Sequence, residues 1–184
     1  MSRTQVAVVA LLGLMLASPA RAGSWSLGAQ LGAISLRSDE GGGTSTVVAF
    51  PLNALSYQPG LRLGFGDARH SREACLEGGL LVIDEAGTVV TIAVASLGYQ
   101  HVFMQHAASS PFASAWVGKV GEGGEGQYGN SISYGAGLGW RRVIRDEHGA
   151  LRIEARYDYL RSGGAFERPK LSMLGLRLGF DLWL

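Results

Sequence analysis

The sequence predicts an all-β chain: eight antiparallel strands in up-and-down order, closed into a barrel, with ten strands as the alternative count. Three observations carry this prediction. Apolar and polar residues alternate with period two over one segment after another. Turn-forming stretches separate these segments at even intervals. Beyond residue 22, no apolar run has the spacing and length of a helix. The chain of 184 residues suits one domain preceded by a targeting segment. Its formal charge of +1, with lysines and arginines scattered, leaves no electrostatic footprint for nucleic acid. A single cysteine rules out an internal disulfide. No Cys/His cluster has metal-ligand spacing, so neither metal nor cofactor is expected.

Residues 1–22 form the first element. Arg3 supplies a short basic start, Val6 to Leu16 an apolar run, and Ala20-Arg21-Ala22 the small residues a signal peptidase reads. The run is shorter than the ~20 residues a membrane-crossing helix needs. Cleavage is therefore expected after Ala22, leaving residues 23–184 as the barrel domain. No cysteine beside that site would accept a lipid. Removing Arg3 and Arg21 from the 16 basic residues leaves 14 against 15 acidic ones, a formal charge near −1.

The strands follow in order. Trp25, Leu27, Ala29, Leu31 and Ala33 alternate with Ser26, Gly28, Gln30 and Gly32. Thr46 to Phe50, interrupted by Pro51 and Pro59, reads as part of a long first loop. Leu61, Leu63 and Phe65 alternate with Arg62, Gly64 and Gly66. From Arg72 to Ile83, Ala74, Leu76, Leu80 and Val82 oppose Glu73, Cys75 and Glu77. Between Thr88 and Phe103 the apolar positions run Val90, Ile92, Val94 and then Leu97, Tyr99, Phe103, a slip that predicts a bulge near Ala95. Phe112 to Val120 is a strand with Ala113, Ala115 and Val117 on its apolar side. Gly121 to Asn130 reads as a loop. From Ser131 to Arg141, Ile132, Tyr134, Ala136, Leu138 and Trp140 alternate with serine and glycine. Leu151, Ile153, Ala155, Tyr157 and Tyr159 alternate with Arg152, Glu154, Arg156 and Asp158. The last strand sets Leu174, Leu176, Leu178, Phe180, Leu182 and Leu184 against Gly175, Arg177, Gly179, Asp181 and Trp183.

Alternation alone does not distinguish a barrel that is apolar within from a membrane barrel, which inverts the pattern. The polar face decides. Serine and glycine on the Ser131 to Gly139 strand make a poor solvent-facing surface, but they leave room in a narrow lumen for long side chains. Those side chains are Arg62, Arg141, Arg152, Arg156 and Arg177 against Glu73, Glu77, Glu154, Asp158 and Asp181. The signs balance, as a desolvated interior requires. Trp25, Phe65, Tyr99, Phe103 and Trp140 fall near one set of strand ends, where amphipathic rings settle at headgroup level, and Tyr134, Tyr157 and Tyr159 nearer the other. The barrel is therefore expected to cross a membrane.

The C-terminal stretch Arg177-Leu-Gly-Phe-Asp-Leu-Trp-Leu184 resembles the signal by which outer-membrane β-barrels are recognised for insertion, carried here by Arg177, Gly179, Leu182 and Leu184. It departs from that pattern in its last residue, which is usually aromatic. Tyr134-Gly-Ala-Gly-Leu-Gly-Trp140 and Arg152-Ile-Glu-Ala-Arg-Tyr157 resemble the closing strands of small OmpA-like and OmpX-like barrel domains. The resemblance implies the bacterial outer membrane as location, membrane lipid and the barrel assembly machinery as partners, and a monomer. No peptidoglycan-binding domain is expected after the last strand.

The expected function is a structural or surface-interaction barrel whose lumen is filled by ion pairs and conducts nothing. Three alternatives stand beside it. A lipocalin-like soluble binder would need the leucine rows to face inward. OmpW-like passage would carry small apolar molecules sideways. A lipid-modifying enzyme would need a nucleophile and base at the rim. Its candidates are His70-Ser71, and His101 or His106 near Ser109 and Ser110, none of which resembles the deacylase His-x-Ser motif. No enzymatic activity is expected. Cys75 reads as a small buried filler. The glycines from Gly121 to Gly126 lack the Lys-Ser/Thr of a phosphate loop.

Overall fold

The computed structural model describes residues 23–38, 44–49, 60–85, 88–104, 107–124, 127–144, 148–163 and 171–184. Residues 1–22, the stretch expected to be a leader, lie outside them with Pro51, Pro59 and His106. The described residues form nine strands: β1 Ser24–Ser38, β2 Thr44–Ala49, β3 Leu61–Gly66, β4 Arg72–Glu85, β5 Thr88–Val102, β6 Ser109–Gly124, β7 Gln127–Val143, β8 Gly149–Gly163 and β9 Leu171–Trp183. All pairings are antiparallel, and β1 pairs with β9 from Ser26↔Trp183 to Ser38↔Leu171, which closes the sheet. The ring β1-β3-β4-β5-β6-β7-β8-β9 is thereby complete, while β2 pairs on one side, with β1.

Nine strands make eight staves because β2 and β3 share one edge of β1. β3 takes Ser24 to Ala29 and β2 takes Gly32 to Arg37. Gly60 bridges the break: its carbonyl accepts from Gln30 N–H at 2.8 Å and its N–H donates to the Gly78 carbonyl at 3.2 Å. The segment expected to be part of the first loop is thus in part a strand. Its Thr/Val-rich residues continue along the edge of β1 that β3 leaves unpaired, and the prolines lie beyond the paired stretch.

Two further expectations are corrected. β5 carries no bulge, since its register runs unbroken against β4 and β6 through Ala95. One face therefore holds throughout, and Ile92 and Val94 point into the barrel beside Ser96 and Gln100, not outward with Leu97. The apolar slip in the sequence marks a change in what fills the lumen, not a change of facing. The Gly121 to Asn130 stretch is mostly strand: β6 and β7 pair to Gly124↔Gln127. Glycine weakens a strand but does not prevent pairing when both neighbouring ladders are already in register.

The wall has two clearly different surfaces. On β8, Leu151, Ile153 and Tyr157 are 54%, 42% and 47% exposed, whereas Arg152, Glu154, Arg156 and Asp158 are 4% exposed or less. On β9, Leu174, Leu176 and Leu178 are likewise exposed while Met173, Arg177 and Asp181 are buried. The charged face is the interior. The lower rim of the barrel carries Ser24, the 67–71 turn and Trp183; the upper rim carries the β4–β5 and β6–β7 hairpins.

Candidate functional site: the lumen

The floor of the lumen is built by the turn between β3 and β4. Asp67 Oδ1 accepts the amides of Arg69 at 3.2 Å and Ser71 at 2.8 Å, and Oδ2 accepts the Ser71 hydroxyl. Partial burial opposes ionisation of Asp67, but these hydrogen bonds outweigh it and hold the carboxyl below its ordinary range. The turn places His70 at φ 49°, a left-handed backbone uncommon for a residue with a Cβ. The His70 ring thereby enters the barrel. It stacks on Trp183 with centroids 4.9 Å apart, shares a 2.7 Å hydrogen bond with Ser24 Oγ, and lies 3.4 Å from Glu73 Oε1. Arg141 donates to the carbonyls of His70 at 2.6 Å and Arg69 at 3.3 Å, its guanidinium 5.6 Å from the Trp183 ring centroid.

Above the floor lies a tier of charge. Arg62 reaches Glu73 at 2.7 Å and Gln100 at 3.1 Å, and Ser26 donates to the same Glu73. Arg152 holds Asp181 through two nitrogens. Arg156 spans the barrel from β8 to Glu77 on β4 at 2.8 Å and also holds Asp158 at 3.1 Å. Arg177 is 3.6 Å from Glu77. Trp116 lies flat beneath Arg156, whose guanidinium carbon is 3.3 Å from the ring centroid, and its indole N–H donates to Asp158. Desolvating a cation against an aromatic face strengthens that contact.

All ten sequence-assigned charges are buried in this interior, yet two do not pair as expected. Arg141 bonds to turn carbonyls, because its place at the lower rim puts it beside the turn. Glu154 accepts from Ser114 on β6. Gly135 and Gly137 on β7 explain how such contacts fit. A Cβ on Gly137 would stand 2.4 Å from Glu154 Oε1, and one on Gly135 would stand 2.1 Å from the Tyr157 carbonyl and 2.8 Å from Trp116. The glycines make room for side chains of the neighbouring strands, which lie across them. Of the insertion-signal residues, Arg177 is buried, a Cβ on Gly179 would stand 3.0 Å from Arg152, and Leu182 and Leu184 are exposed.

Higher still the filling changes to Ile92, Val94, Val120, Leu160 and Met173, all buried. Sequence reasoning did not assign Gln100, Phe112 or Trp116 to the lumen; it weighed His70 only as a candidate base at the rim and placed Trp183 on the polar face of the last strand without a partner. Parity could have found Phe112 and Trp116: if Ala113, Ala115 and Val117 face out, residues 112, 114 and 116 face in. Nothing in the local pattern marks His70, which enters the lumen through a turn.

Of the candidate serine–histidine pairs, Ser71 bonds Asp67, and Ser110 donates to the carbonyls of Met104 and Ala107. His101 meets the Phe103 ring edge-on at 5.3 Å. Among the described residues no group of three His, Cys, Asp or Glu could hold a metal.

A closed eight-stave barrel with an apolar exterior and a charged interior is the architecture of the small outer-membrane β-barrel proteins, and comparison with solved structures agrees. Neisserial surface protein A matches with TM-score 0.61 and 13% identity, covering 88% of this chain and 99% of that one. The N-terminal barrel domain of Pseudomonas aeruginosa OprF (TM-score 0.44, 18% identity, 87% and 99% covered) and P. aeruginosa outer membrane protein OprG (0.47, 12%, 88% and 96%) are also similar. No family model matches the sequence, and no curated protein matches it.

Proposed function

We propose that this protein is an integral barrel of the bacterial outer membrane, with a lumen closed by ion pairs and a structural or surface-interaction role. The single observation that supports it most is Arg156. A guanidinium 2% exposed, bonded across the barrel to Glu77, along its own strand to Asp158 and stacked on Trp116, blocks the axis of a lumen this narrow. The apolar tier above it closes the same path a second time. The exposed leucine rows argue against a lipocalin-like interior, and the side-chain contacts of Ser71 and Ser110 argue against catalysis by those residues. In this reading residues 1–22 are removed on export, the barrel assembly machinery recognises the last strand, and a monomer sits with its lower rim in the periplasm.

The test has two parts. The protein should fractionate with outer membranes and migrate differently on a denaturing gel before and after boiling. Recovery from the soluble periplasm would end the reading. Purified protein in planar bilayers should show no steady porin-sized conductance; a large stable conductance would show an open lumen. Leu184→Asp should lower the heat-modifiable fraction in cells, and unchanged levels would show that the terminal pattern plays no part in assembly.

A further inference from the structure

Across β6, β7 and β8 the outward face carries charge of one sign at two heights. On β6, β7 and β8 the row Ser109↔Arg142↔Leu151 lies at the lower rim and the row Lys119↔Ile132↔Arg161 near the upper one. Between them every outward position on these three strands is uncharged. The rows are ten residues apart, counted on β7 from Arg142 to Ile132. At about 3.4 Å per residue and a strand tilt near 40°, that is about 26 Å along the barrel axis, against an apolar band of about 25 Å in barrels of this kind. The two rows therefore mark the two headgroup levels.

The upper row differs from the lower in holding two cations. Lys119 and Arg161 are both exposed, with Ile132 between them, so their Cα atoms lie about two strand spacings, or about 10 Å, apart. Side chains of this length reach a common point above Ile132. Among the described residues neither forms an ion pair, and Glu122, the nearest carboxylate along β6, belongs to the opposite face. One step toward the band, Val117↔Tyr134↔Tyr159 places two tyrosines side by side, their ring centroids 5.4 Å apart. Tyrosine rings at this depth lie against the junction of acyl chain and headgroup.

We propose that Lys119 and Arg161 form a binding site for the phosphorylated headgroup of an outer-leaflet lipid, with Tyr134 and Tyr159 as the ledge on which its acyl chains begin. The guanidinium takes two phosphate oxygens through its planar fork while the ammonium supplies a second charge on the same group. Leucines below, such as Leu174 beside Tyr157, continue the surface for the chains. The site needs the barrel to stand in the membrane but not its lumen to be closed, so a conducting lumen would leave it intact.

The experiment places full-length purified protein in phosphatidylcholine nanodiscs doped with lipid A bearing both phosphates, and counts lipid A retained by native mass spectrometry after mild detergent extraction. A basic residue at an anionic surface is worth about fivefold in affinity. Lys119→Gln and Arg161→Gln should each lower retention about fivefold and the pair together about twenty-five-fold, with the heat-dependent gel shift unchanged. Arg142→Gln, at the other headgroup level, should retain lipid A as the wild type does. Dephosphorylated lipid A should be retained as poorly by the wild type as the phosphorylated form is by the double variant. The proposal is overturned if the double variant retains as much as the wild type, if Arg142→Gln loses as much as the double variant, if dephosphorylated lipid A is held equally well, or if inorganic phosphate displaces the lipid and so shows a site for the free ion.

Discussion

The lower and upper halves of the lumen close the same barrel by different means. In the lower half Arg62, Arg152, Arg156 and Arg177 are held by carboxylates at 3.6 Å or less. In the upper half the buried filling includes the apolar side chains of Ile92, Val94, Val120, Leu160 and Met173. The difference teaches what each filling tolerates. A buried ion pair adds little net stability over an apolar filling, but losing one partner strands the other charge. An apolar tier loses only what is cut away, plus the cavity left behind. The charged half is the more fragile to single substitutions, and it specifies which side chain meets which.

The largest effect is expected at Arg156. Arg156→Ala leaves Glu77 and Asp158 without their shared cation and should destabilise by about 3 to 5 kcal/mol, measured by denaturant unfolding of protein in lipid vesicles. A loss under about 1 kcal/mol, the value for exposed pairs, would show the lower half to be wet and dissolve the contrast. Leu160→Ala removes one wall of the apolar half and should cost about 2 to 5 kcal/mol, the transfer of the lost side chain plus the cavity it leaves. A loss under about 1 kcal/mol would show that the upper half is not closely packed around Leu160.

Gly135→Ala probes how tightly the charged half is packed. The added methyl would meet the Tyr157 carbonyl and Trp116, for an expected cost of about 1 to 3 kcal/mol and a changed tryptophan emission. A neutral outcome would mean that Trp116 is free to move off Arg156. The smallest effect lies outside both halves, at Asp67. Its folded pKa is depressed, so its stabilisation is complete above the unfolded value of about 3.9 and is lost as pH falls through the folded one. Asp67→Asn should therefore flatten the acid side of the stability curve by slightly lowering stability at neutral pH, with wild type and variant converging as pH falls below about 4. An unaltered acid limb would show that the turn's hydrogen bonds do not depend on the charge.

Much of the barrel was legible because a period of two is a local property. Leu174 to Leu184 and Leu151 to Tyr159 announce both faces within a few residues, and the sign balance of the polar set announces an interior. The limits of that reading are visible in β5. Val90, Ile92 and Val94 look like a lipid-facing row because the rule equates apolar with outside, and a lumen filled partly with apolar residues breaks the rule while leaving the alternation intact. Thr46 to Phe50 failed for a different reason: its partner edge exists only because β3 stops short along β1.

By itself the sequence determined the class of fold, the strand faces from β6 to β9 and the residues that fill the charged tier, since each depends on neighbours one or two positions away. Only the tertiary structure decided who meets whom. Arg156 reaches Glu77 because closure brings β8 opposite β4; Arg141 turns to the His70 carbonyl because the turn rises beneath it; Glu154 goes to Ser114 because Gly137 leaves the gap between them. These pairings join residues 40 to 79 positions apart in the chain. They are set by the register and shear of the closed sheet, which no local pattern encodes.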